Sequence, residues 1–114
     1  MTLEELRSRV DELDCQLVAL LNERASTAKQ IGQIKAASSM QVYVPGREKL
    51  VYENLRAANQ GPLPDAELLH IYERILDVMR ALQRNELASQ KNAQAARDAQ
   101  LGQPADAEAS ETGK

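Results

Sequence analysis

Phenylalanine and tryptophan are absent from this 114-residue chain, and tyrosine occurs only three times. Large rings supply much of the area that a small core buries, so a chain this short closes a core around itself with difficulty. Oligomerisation is therefore an expectation from composition alone. The only cysteine, Cys15, excludes an internal disulfide and a Cys-rich zinc site, and suits a reducing compartment. There is no excess of positive charge: 14 Lys and Arg against 17 Asp and Glu leave a formal −3, which argues against nucleic-acid binding. No apolar run approaches a membrane span, and the opening MTLEELRSRVDELD is too acidic for a signal peptide, so the expected location is the cytoplasm. A single histidine, His70, and the lack of a Gly-rich phosphate loop leave nucleophile, metal and nucleotide chemistries without support, and no cofactor is expected.

What the sequence does have is helical periodicity. Apolar residues fall at Leu3, Leu6, Val10, Leu13, Leu17, Leu20, Leu21, Ala28, Ile31 and Ile34, with no proline and no glycine before Gly32. This spacing predicts one long amphipathic helix, opened by a capping box between Thr2 and Glu5. At 1.5 Å per residue it reaches about 50 Å, longer than so small a domain is wide, so it projects or finds a partner. Residues 36–44 lose the period and read as a loop leading to Pro45, which fits the first turn of a second helix over about 46–59. Asn59-Gln60-Gly61-Pro62 terminates it. A third helix enters at Leu63-Pro64-Asp65 and carries Leu68, Ile71, Tyr72, Ile75, Met79 and Leu82, fading near Leu87. From Ala88 to Lys114 the composition shifts to Ala, Gln, Asp, Ser and Gly, and reads as a frayed helix end and a disordered tail. The expected fold is thus all-α, three helices over residues 1–87 followed by a tail over 88–114.

Cations interrupt the apolar pattern of the first helix. Arg24 and Lys35 are eleven residues apart, which at 100° per residue returns to within about 20° of one face. Arg7 lies 28 residues before Lys35, about 40 Å along a straight helix, too far to share one small ligand within a chain. If Arg7 joins such a site, it comes from a second, antiparallel chain. An arbitrary helical arginine more often snorkels from a solvated face, as Arg9, Lys29, Arg56 and Arg74 are expected to do. Arg47 and Glu48 stand at the start of the second helix, where free backbone N–H groups favour anions. Arg7, Arg24, Lys35 and Arg47 together suit a dianionic ligand. On the third helix, Gln83 follows Met79 by one turn and points inward, to an inter-helix hydrogen bond or a ligand contact; spacing alone slightly favours the former.

Arg7 in LEELRSRVDELD, Arg24 in LLNERA, Lys35 in IGQIK, Arg47-Glu48 in PGREKL and Gln83 in MRALQR resemble, in order and spacing, the all-helical chorismate mutase family. The match covers about residues 3–87, and the GPLPD entry to the third helix looks like the mutase domains fused to prephenate dehydratase. The resemblance implies an intertwined homodimer that performs the Claisen rearrangement of chorismate to prephenate, toward phenylalanine and tyrosine. It implies that Arg24 and the other protomer's Arg7 bind the two carboxylates and that Arg47 helps position the substrate. Lys35 and Gln83 would donate to the ether oxygen, and Glu48 would accept from the ring hydroxyl. Such a unimolecular reaction needs a folded substrate and donors aimed at developing charge, and no cofactor or metal.

Two positions depart from the family pattern. Val44 stands where an aspartate is common, three residues before Arg47, and removes one acceptor for the ring hydroxyl. Met79 stands where a small hydroxyl residue is common, adding bulk near the substrate. Both should weaken binding and leave the ether-oxygen donors untouched. The competing readings are an isochorismate-pyruvate lyase of the same fold and a non-catalytic helical dimer with a regulatory or partner-binding role. Glu48 after Arg47 favours the mutase over the lyase. A purely structural dimer would have no need of Arg24, Lys35, Arg47, Glu48 and Gln83 in one pocket.

Overall fold

The computed structural model describes residues 1–38 and 41–102, which form three α-helices: α1 Leu3–Ser38, α2 Pro45–Ala58 and α3 Asp65–Gly102. The capping box forms as expected. Thr2 N–H donates to Glu5 Oε1 at 2.8 Å, and Glu5 N–H donates to Thr2 Oγ1 at 3.1 Å. The Thr2 backbone N–H, and then its side chain, hold the Glu5 carboxyl below the usual carboxylate range. At its other end α1 runs to Ser38, four residues beyond Ile34 and into the segment expected to be loop. Ala36 and Ala37 have high helix propensity, and Lys35 in the last turn complements the helix dipole. Of the expected loop, Ser39 and Met40 lie outside the described residues.

Pro45 opens α2, preceded by Val44 in an extended conformation (φ −126°, ψ 99°) with no side-chain capping bond. The helix stops where the Asn-Gln-Gly-Pro signal places it. Asn59 N–H closes onto the Leu55 carbonyl at 3.0 Å, and its side chain organises the turn. Nδ2 donates to the Leu63 carbonyl at 2.8 Å and to Asp65 Oδ1 at 2.6 Å, while Oδ1 accepts from Gly61 N–H at 3.1 Å. Gly61 sits at φ 74°, in the left-handed region that a glycine adopts at no steric cost.

The third helix is longer than its apolar stripe. It continues past Leu87 to Gly102, so residues 88–102 of the stretch 88–114, expected as a frayed helix end and disordered tail, are helical. Gln94 Nε2 donates to Asp98 Oδ1 at 2.8 Å, and Arg97 donates to Gln94 Oε1 at 2.8 Å, pairs one turn apart on its surface. The expected disordered tail beyond it, 103–114, lies outside the described residues.

The second half of α1 packs along α3, and α2 lies against α3 at the same end. Gly32 marks a close approach: a Cβ there would stand 3.0 Å from Gln83 Cα and 3.0 Å from Glu86 Cβ. Beside it, Gln33 Nε2 donates to Glu86 Oε1 at 3.0 Å. The molecule measures 73 × 34 × 17 Å, so it is hardly thicker than one and a half helices and cannot enclose a core alone. Ala28, Leu76 and Met79 are its buried hydrophobics among the described residues. Every residue from Met1 to Glu23 is exposed, including Leu6, Val10, Leu13, Leu17 and Leu20. No helix among the described residues is long and apolar enough to cross a membrane.

Candidate active site

Where α1, α2 and α3 meet they leave a cavity of about 460 Å³, within the range of small-molecule sites. From α1 come Arg24, Thr27, Ala28, Ile31 and Lys35; from the approach to α2 and its first turns come Val42, Val44, Arg47, Glu48 and Val51; from α3 come Leu76, Met79, Arg80 and Gln83. Four cations thus face one carboxylate, against an apolar floor of valines, Leu76 and Met79. The eleven-residue spacing of Arg24 and Lys35 does place both on this wall, and Gln83 joins them from α3.

Each polar group has a distinct environment. Arg24 is half-buried, its guanidinium carbon 5.8 Å from the Tyr72 ring centroid, close enough for a cation–π contact that restricts its swing. Lys35 Nζ donates to the Val42 carbonyl at 2.9 Å, which ties the end of α1 to the segment entering α2. An ammonium has three protons, so two remain for a ligand. Arg24, Lys35 and Arg47 pair with no carboxylate among the described residues. Gln83 Oε1 is buried and has no hydrogen-bond partner among the described residues. The inter-helix bond that spacing favoured for Gln83 is therefore not what occupies that oxygen among the described residues.

Of the eight candidate residues, seven line this one cavity: Arg24, Lys35, Val44, Arg47, Glu48, Met79 and Gln83. Arg7 does not. It projects from the exposed half of α1, 17 residues and about 25 Å of helix before Arg24. One charged cavity residue escaped the sequence reading, Arg80. Its guanidinium is bonded to both Glu48 Oε2 and Asp77 Oδ1, and its carbon lies 5.5 Å from the Tyr43 ring centroid. The Glu48 carboxylate, above all, raises the Arg80 pKa further. An available signal was its position three before Gln83, on the same side of α3.

A family model described as chorismate mutase type II matches residues 6–84. The chain belongs to this family. Among its relatives, the bifunctional chorismate mutase/prephenate dehydratase of Aquifex aeolicus is 37% identical over 86 residues, covering 72% of this chain and 24% of that protein. The chorismate mutase of Methanocaldococcus jannaschii is 30% identical over 91 residues, covering 79% of this chain and 92% of its own length. Among solved structures, the form II chorismate mutase of Thermus thermophilus superposes with a TM-score of 0.69 at 28% identity, over 71% of this chain and 92% of that one. The chain spans about a quarter of the length of the bifunctional relatives it matches.

Proposed function

We propose that this chain is a chorismate mutase acting as a homodimer, with chorismate as substrate and prephenate as product. The observation that carries the reading is the gathering, in one cavity, of Arg24, Lys35 and Arg47, which have no carboxylate partner among the described residues, with the Gln83 amide and the Glu48 carboxylate. Arginine binds carboxylate by bidentate, charge-assisted bonds, and Arg24 and Arg47, which pair with no carboxylate among the described residues, have that capacity for a ligand. As the ether C–O bond of chorismate breaks, negative charge grows on its oxygen. Lys35 keeps two protons beyond its bond to Val42, and the Gln83 amide nitrogen carries two more; donors fixed beforehand at developing charge lower a barrier without reorganisation. Glu48 is the acceptor for the ring hydroxyl, since Val44 supplies none. The apolar floor holds the substrate folded and excludes water.

Arg7 completes the site from a second copy of the chain. The exposed apolar face of α1 between Leu3 and Leu21 has the character of a surface that another helix covers. A dimer formed along it brings the partner's N-terminal turns toward the cavity.

Incubating the purified chain with chorismate, without added cofactor, is expected to yield prephenate. Release of pyruvate from isochorismate with chorismate untouched would instead establish the lyase reading and overturn this one.

A further inference from the structure

Glu48 is the only carboxylate among the residues lining the cavity, and three of its four cationic neighbours are groups that a dianionic ligand needs. A glutamate on a flexible stem in such a place has two ways to fail. It can swing aside toward another cation, or it can wander, and in either case it offers no fixed acceptor. In the structure Glu48 pairs with Arg80 instead. The Arg80 guanidinium bonds Glu48 Oε2 through Nη1 and Asp77 Oδ1 through Nη2, and packs against the Tyr43 ring at 5.5 Å. Asp77 lies one turn back on α3 and outside the cavity lining, so it anchors the guanidinium from behind. Tyr43 belongs to the segment entering α2, which means one side chain of α3 ties down that segment and the first turn of α2 together. Only Oε2 is taken. Oε1 of Glu48 receives no protein donor among the described residues.

We propose that Arg80 is a positioning residue: it holds the Glu48 carboxylate through Oε2 so that Oε1 stays fixed as the acceptor for the ring hydroxyl. The inference rests on the mutase reading and deepens it. Arg80 acts through Glu48, so its removal costs turnover more than binding. The three cations that hold the dianion stay in place, while the substrate spends less time in its reactive geometry.

The test is a double-substitution cycle on the full chain, Arg80→Ala, Glu48→Gln and both together, with kcat and KM for chorismate and thermal melting of each protein. Arg80→Ala is expected to lower kcat about 10- to 100-fold, the scale of a small misplacement in a preorganised site. KM should change much less. The double variant should be no slower than Glu48→Gln alone, and Arg80→Lys should fall between Ala and the parent, since an ammonium keeps the charge but not the two-pronged grip. Losses that multiply in the double variant, or a loss confined to KM, would overturn the proposal and make Arg80 a direct substrate ligand. Unchanged turnover in Arg80→Ala would overturn it as well. If Arg80→Ala does not fold, Arg80→Lys carries the same cycle. If the parent chain leaves chorismate untouched, the functional reading is what fails, and melting decides the contact separately: non-additive Tm shifts uphold the Arg80–Glu48 hold, and additive shifts overturn it.

Discussion

A buried amide oxygen with no partner, as at Gln83 among the described residues, costs a folded protein on the order of 1–3 kcal/mol. Replacing it with a leucine of similar volume removes that cost, so Gln83→Leu is expected to raise Tm while lowering kcat by roughly 100-fold or more. A variant that melts lower, or that keeps full turnover, would refute this trade of stability for function. Lys35→Ala, assayed by initial rates, should lose about 3–4 kcal/mol of transition-state stabilisation, the scale for one preorganised donor. At this scale the sequence was highly legible where a single helix carries the pattern. Arg24 and Lys35 share a face by arithmetic, and Gln83 follows Met79 by one turn. Arg80 was not legible, because the partner that gives it meaning, Glu48, is 32 positions away on another helix.

Helix boundaries were less legible than helix existence. The apolar stripe ends near Ile34 in α1 and near Leu87 in α3, yet both helices continue, to Ser38 and Gly102. Periodicity reports which face is buried, whereas Ala-rich stretches such as AQAARDAQ stay helical on propensity with no face to bury. Two local features of the elements make predictions. Val44 is an N-cap residue without a capping bond, and aspartate is among the best N-caps. Val44→Asp should gain about 1 kcal/mol, read as a Tm increase of roughly 4–8 °C. Differential scanning calorimetry that finds no increase would count against the cap. Gly32 stands where α1 meets α3, and a methyl group 3.0 Å from Gln83 Cα meets backbone that cannot swing aside. Gly32→Ala gains up to about 1 kcal/mol of helix propensity. Overpacking of about 1–3 kcal/mol opposes it, so the net expectation is a lower Tm together with lower kcat, as Gln83 is pushed from the cavity.

For the whole molecule, a slab 17 Å thick with buried hydrophobics only at Ala28, Leu76 and Met79 among its described residues is poorly equipped to stand alone. If the folded state is the proposed homodimer, Tm rises with protein concentration. Arg7 in trans allows a sharper check. Arg7→Ala and Lys35→Ala chains should each be nearly inactive, but unfolded and refolded together they form mixed dimers in which one site is intact. Random pairing predicts about a quarter of parental activity. A mixture no more active than its parts would exclude Arg7 from the partner's site. Composition alone raises the expectation of a partner, since the missing rings leave little to bury; which surface would meet which is a property of assembly that no single chain's periodicity contains.

The uninterrupted course of α1 has a consequence for how this protein can vary. Arg7 belongs to one proposed site, while Arg24 and Lys35, on the same rod, belong to the other, so the helix between them acts as a ruler that keeps two reaction centres in register. Each residue inserted or deleted there turns Arg7 by about 100° and moves it 1.5 Å. Residues 8–23 are exposed in the single chain, where length changes are ordinarily tolerated, yet here the count of residues matters more than their identity. Substitutions along this stretch that keep it helical and apolar on one face should be accepted, and a single-residue deletion should silence both sites at once.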